Sequence, residues 1–156
     1  MEDKRALLLK IEFFWWLITA IFAAAVVLPI LLRLPDFPYL WHNILFAVCF
    51  VVFTRHIFFL RYTFLGPQQY LKIALFFIAI PVVFLLIDQV NFFQNYINDG
   101  GLIKDIGSLP YKQQEGIEKY IRTEILLLGT AAIVSGILFG IRMLVSVFRY
   151  RNSKTV

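Results

Sequence analysis

The chain reads as an all-α integral membrane protein, a four-helix antiparallel bundle whose fourth helix extends outside the bilayer. Three observations carry that reading. Of 156 residues, 60% are hydrophobic and only 16% charged, against roughly 25% charged in an average soluble domain. Phenylalanine alone takes 17 positions, more apolar surface than a single aqueous core of this size can hide. The apolar residues also fall into four runs of about the length that crosses hydrocarbon as a helix, roughly 20 residues. Helix is the required form, because lipid offers no partner to unpaired backbone groups.

The spans are expected at about 11–32, 40–60, 70–87 and 125–148, with 88–124 as the one sizeable segment outside the membrane. Together, residues 1–156 form a single transmembrane domain. The first run has the charged start of a secretory signal, and Ala23, Ala24 and Ala25 resemble a cleavage site. It continues apolar to Leu32, too far for a signal core, so it is read as an uncleaved span. Pro29, followed by Leu34-Pro35-Asp36-Phe37-Pro38, closes this run with a short turn, because proline cannot continue a helix.

The second run starts at aromatic Tyr39 and Trp41 and ends near Arg55, His56 and Arg61. Gly66 and Pro67 then make another short turn. Pro81 lies mid-way in the third run and predicts a kink. The outer segment divides at Gly100 and Gly101. Its first half, 91–98, alternates aromatics with amides and predicts a short helix lying at the lipid interface. Its second half opens with Ser108 as N-cap and Pro110 in the first turn. Ile117, Tyr120, Ile121 and Ile125 then keep helical spacing, so the fourth helix is expected to project outward from about Leu109.

Orientation follows from Lys and Arg. Lys4, Arg5, Lys10, Arg55, Arg61, Lys72, Arg142, Arg149, Arg151 and Lys154 lie on the side of the termini, ten against the five of Arg33, Lys104, Lys112, Lys119 and Arg122. That excess places both termini in the cytoplasm. A bacterial inner membrane is the expected location for so compact a multi-pass chain. The net charge of +5 is spread around the apolar runs and forms no basic face, which argues against nucleic acid as a partner.

Chemistry-bearing residues are few. Cys49 is the single cysteine, which excludes an internal disulfide and any cysteine-based metal motif. His42 and His56 share one run but stand about 21 Å apart along a helix, so they cannot share a metal. Hydrolase, zinc-protease, Walker and dinucleotide signatures are missing from the sequence. Neither cofactor nor metal is expected, and the balance leans away from an enzyme.

Two groupings remain. Glu12, Arg55, His56, Lys72 and Arg142 all fall near the inner ends of their runs. They either gather into one polar cluster, with Glu12 accepting from Arg55 or Arg142, or snorkel independently to headgroups. The cluster's excess positive charge would favour an anionic headgroup or substrate. Arg33, Asp36, Asp88, Arg122 and Glu124 form a comparable set at the opposite mouth. The second grouping is the small-residue stripe Gly129, Ala132, Gly136 and Gly140 on the fourth helix, where backbones can approach closely. Ala20 and Ala24 on the first helix offer the matching surface. The alternative partner for this stripe is another protein or a second copy of the chain.

Missing chemistry beside an intact packing stripe favours a non-enzymatic assembly or support subunit acting through helix packing, with membrane lipid as its surroundings. The alternatives are a small-solute or ion transporter or channel subunit, which needs a wet path through the middle, and a lipid-handling protein, which needs a headgroup cleft at the inner mouth.

Overall fold

Four long apolar helices, a six-residue helix and one tight turn make up nearly all of the computed structural model, which describes the backbone of residues 2–152 and the side chains of residues 6–152. The side chains of Lys4 and Arg5 and the whole of Lys154, all counted for orientation, fall outside the described residues. Helix α1 covers Glu2–Leu31, α2 Leu40–Phe59, α3 Gln69–Asn98, α4 Gly101–Ile106 and α5 Tyr111–Asn152. A 3-10 turn, Leu60–Tyr62, continues α2. Among the described residues there is no strand. α1, α2, α3 and α5 are each long and apolar enough to cross a membrane.

Apolar side chains stand on the outside of these helices as well as between them. Phe13, Phe77, Phe84 and Ile137 are exposed, while Ile30, Phe46, Phe93, Ile121 and Ala132 are fully buried. α5 is the centre of the packing: it lies against α2 and α3, whereas α1 lies mainly against α2. α1 is fastened by the Trp15–Phe59 and Phe22–Phe50 ring contacts and by the Tyr120 hydroxyl, which donates to the Val26 carbonyl across 2.8 Å.

The helical runs differ from the expected ones in four places, the first being that α1 begins at Glu2 and not near 11. α3 does not stop near 87 but continues to Asn98, so 91–98 is its last part and no separate interfacial helix forms. The reason is burial at helical spacing, since Leu86, Val90 and Phe93 carry the stripe outward and are covered by the rest of the chain. The turn at Gly100, where φ is +74°, a conformation open to glycine, ends the helix. The helix α4 that follows was not expected, and it forms because Leu102 and Ile106, one turn apart, both bury. α5 starts at Tyr111, two residues after the expected point, and Ser108 does not cap it. The Ser108 hydroxyl instead donates back to the Asp105 carbonyl at 3.1 Å, closing α4. α3 runs through Pro81 and α1 through Pro29 as continuous helix.

The small residues of α5 face neighbours other than the expected one. A side chain at Gly129 would meet Val90 and Phe46, one at Gly136 would meet Val83 and Phe53, and Gly140 lies by Phe76 and Ala79. The stripe therefore seats α5 on α2 and α3, not on α1, where Ala20 and Ala24 are exposed. Large aromatics on α2 and α3 fill the space that the missing side chains leave, which is the closer fit.

Candidate functional site

The five charged and polar residues near these helix ends divide between two cavities, each lined in part by the turn that follows α2. Glu12 and Arg55 form one half. Arg55 is 5% exposed, its Nη2 lies 2.6 Å from Glu12 Oε1, and its guanidinium sits over the Trp15 ring at 5.6 Å. An ion pair so far from water holds only when charge meets charge, so this contact ties α1 to α2. His56 follows on the next position. Its Nδ1 is 2.7 Å from the Val52 carbonyl, an acceptor only, so Nδ1 carries the proton and donates. The His56 ring meets Phe139 of α5 edge-on at 5.8 Å. Glu12, Arg55 and His56 line a small cavity of about 200 Å³ together with Trp16, Thr19 and Thr63.

Lys72 and Arg142 belong to the other half, and no hydrogen bond or ion pair joins them to Glu12. Lys72 is one turn into α3 and 2% exposed. Its ammonium donates to the Gly66 carbonyl at 2.7 Å, to Ser146 Oγ at 2.9 Å and to Gln69 Oε1 at 3.3 Å. All three acceptors are neutral. The local fold explains the first of them: Thr63 donates its hydroxyl to the Leu60 carbonyl at 2.9 Å, and Gly66 donates its backbone N–H to Thr63 at 3.0 Å, coiling the chain tightly after α2. A side chain on Gly66 would meet three backbone carbonyls at 3.2–3.3 Å. Arg142 Nε donates to the Ile57 carbonyl at 3.1 Å, which fastens α5 to the end of α2.

A cavity of about 550 Å³ opens beside Lys72, within the range of roughly 300–1,000 Å³ usual for ligand clefts. Arg61, Lys72, Arg142 and Arg149 line it with Gln69, Ser146 and Tyr150, and no acidic side chain is among the lining residues. Four cationic groups around one concave space, of which Lys72 and Arg142 hydrogen-bond only to neutral groups, produce a positive potential that an anion relieves. Arg supplies forked donors suited to carboxylate or phosphate oxygens, and Lys a point charge. Sequence reasoning found Lys72 and Arg142 but not Arg61, Gln69, Ser146 or Arg149, which only the folding of the 60–68 turn against the end of α5 brings together. Arg61 and Arg149 were legible as interfacial charges, and their shared cavity was not.

At the other end of the helices, Asn43 is fully buried and its Nδ2 donates to Glu124 Oε2 at 2.6 Å. Of the outer set, Glu124 therefore turns inward to α2. Arg33 and Asp36 line a cavity of about 170 Å³ with Asp105 and Ser108, and Tyr96 donates its hydroxyl to Asp105. The signal for the Asn43–Glu124 contact was present as two polar residues just inside apolar runs, but nothing in the sequence paired them. Among the described residues, no three His, Cys, Asp or Glu side chains gather where one metal ion could be held.

Comparison with protein-family models, with curated proteins and with solved structures finds no match for this chain.

Proposed function

We propose that the chain is a multi-pass membrane protein, an antiparallel four-helix bundle with both ends at the cytoplasmic face, which holds a phosphate-bearing anion at its cytoplasmic mouth. Membrane embedding is supported by the length and apolar character of four helices and by the phenylalanines on their outer faces. Trp41 and Tyr70, strongly exposed at helix ends, fit the headgroup level. At 1.5 Å per residue the 42 residues of α5 measure about 63 Å, twice the roughly 30 Å of hydrocarbon, so α5 must project. The excess of Lys and Arg on the side of the termini, ten against five, supports that orientation.

The observation that carries the ligand is the cavity beside Lys72, concave, lined by four cations and by no acid. A buried ammonium held only by neutral acceptors is costly, and a bound phosphate oxygen would compensate it. Support for the other readings is weaker. The small residues of α5 are covered by α2 and α3 within the chain, leaving that stripe less to offer a partner as an assembly subunit. Passage of a solute would need a wet interior, but Phe46, Phe53 and Phe139 fill the space between the two polar ends. No carboxylate or imidazole lines the cationic cavity to serve as a base toward the Ser146 or Tyr150 hydroxyl, which favours a ligand that is held.

The test is native mass spectrometry of the detergent-extracted protein, offered phosphatidylglycerol, phosphatidylcholine or glycerol phosphate. Phosphatidylglycerol is expected to be retained over phosphatidylcholine. The double variant Arg142→Gln/Arg149→Gln should weaken that retention about tenfold, the equivalent of roughly 1.4 kcal/mol of charge-assisted hydrogen bonding. Glycerol phosphate binding with equal strength would assign a soluble phosphate compound as the ligand. Equal retention of both lipids together with no binding of glycerol phosphate, or unaltered binding by the double variant, would remove the reading.

A further inference from the structure

The contact between Asn43 and Glu124 is unusual in what it leaves undone. Asn43 Nδ2 gives one hydrogen bond to Glu124 Oε2. The other two polar atoms, Asn43 Oδ1 and Glu124 Oε1, are both buried and have no hydrogen-bond partner among the described residues. Both are acceptors when the carboxyl is ionised. An amide oxygen and a carboxylate oxygen would then share a buried space with no donor, each bearing a desolvation cost of about 1–3 kcal/mol or more. Native interiors rarely leave such a pair standing.

Among the described residues, no donor is bonded to either of the two oxygens. No Lys, Arg or His lies within ion-pair distance of Glu124 among the described residues. From α2 the titratable neighbour is His42, next in sequence to Asn43, whose Nδ1 is buried and unpartnered. Its ring lies against Tyr39, whose hydroxyl donates to the Phe92 carbonyl. On α5, Tyr120 is one turn before Glu124, and its hydroxyl is directed to Val26 of α1. On α3, Val90 faces Gly129, more than a turn further along α5, while Phe93 and Tyr96 pack on the Tyr39 ring and the Tyr96 hydroxyl donates to Asp105.

We infer that Glu124 binds a proton on Oε1 and donates it to Asn43 Oδ1, so that a neutral carboxylic acid and an amide close a two-bond ring between α5 and α2. One proton then satisfies both orphaned atoms and removes the uncompensated charge. A carboxylic acid and a primary amide present complementary donor and acceptor edges, and the observed Nδ2-to-Oε2 bond is already half of that ring. The site lies at the end of the helices opposite the cationic cavity and shares no residue with it, so it stands independently of the ligand proposed there. It makes the union of α2 and α5 depend on a bound proton.

Infrared difference spectroscopy of the full chain in lipid nanodiscs, with Glu124→Gln as the reference, tests this. The carbonyl stretch of a protonated carboxyl is expected at neutral pH in the native chain. It should be absent from Glu124→Gln and displaced in Asn43→Leu, which removes the amide partner. Thermal melting gives a second reading. Gln offers the same donor and acceptor edges, so Glu124→Gln should melt with the native protein, while Glu124→Leu and Asn43→Leu should both melt lower. An ionised Glu124 at neutral pH, or a Glu124→Gln protein no more stable than Glu124→Leu, would overturn the inference. So would a stabilisation by sodium or potassium ions that Glu124→Gln abolishes, which would assign a metal cation in place of the proton.

Discussion

Arg55 of α2 and Glu12 of α1 meet at 2.6 Å with the guanidinium 5% and the carboxylate 19% exposed, in a chain where α1 otherwise has few polar ties to its neighbours. Because charge is nearly balanced there and unbalanced at Lys72, the two inner sites differ in what they do. The first joins α1 to α2 through paired charges, and the second gathers Arg61, Lys72, Arg142 and Arg149 around one cavity with no acid among its lining residues.

Breaking that pair should show it. Glu12→Gln leaves a buried guanidinium without a carboxylate and is expected to cost about 3 kcal/mol. The double variant Glu12→Leu/Arg55→Leu should recover much of the loss, since two apolar side chains need no compensation. Melting of the singles and the double in one detergent measures the coupling, and additive losses would show that the two groups act independently.

The glycines of α5 should differ sharply from one another. A methyl group at Gly129 would stand 2.5 Å from Val90 Cγ2, on a β-branched side chain with little freedom to move. Gly129→Ala should therefore lower stability by about 1–3 kcal/mol, and Val90→Ala beside it should restore part of that. Gly116 has nothing within 4 Å, so Gly116→Ala should stabilise the helix by up to about 1 kcal/mol. Denaturation of both in parallel decides the matter.

The turn at 99–101 gives a third contrast. Gly100 holds φ at +74° with open space around it, so Gly100→Ala should cost about 1 kcal/mol and Gly100→Asn less, asparagine tolerating this conformation better. Gly101→Ala should fail for another reason, because its methyl would fall within 2.2 Å of the Tyr96 ring. Loss of the Tyr96–Asp105 contact, seen as altered Tyr96 fluorescence, should accompany Gly101→Ala only.

Topology is testable by labelling. With Cys49 replaced by alanine, Lys112→Cys should react with a membrane-impermeant maleimide on intact cells, and Arg61→Cys only after the membrane is opened. The reverse pattern would invert the bundle and place the cationic cavity outside.

The amino-acid sequence by itself determined how many apolar helices there are and about where each stops. Run lengths, Pro35, Pro38 and Pro67 and the flanking charges are local quantities, and they alone placed the four helices to within a few residues at most ends. The start of α1 at Glu2, well before 11, and the end of α3 are the exceptions: the extension of α3 to Asn98 rests on the burial of Val90 and Phe93 under other elements, which no window of sequence reports. Only the tertiary structure decided which face of each helix meets which neighbour. Helices that are apolar on nearly every side carry no amphipathic stripe to set their rotation. Thus the glycines of α5 could be recognised but not assigned to Phe46 and Phe53, and Lys72 could be recognised but not joined to Ser146. Asn43 and Glu124 stand 81 positions apart, and their meeting follows from packing geometry that residue order does not encode.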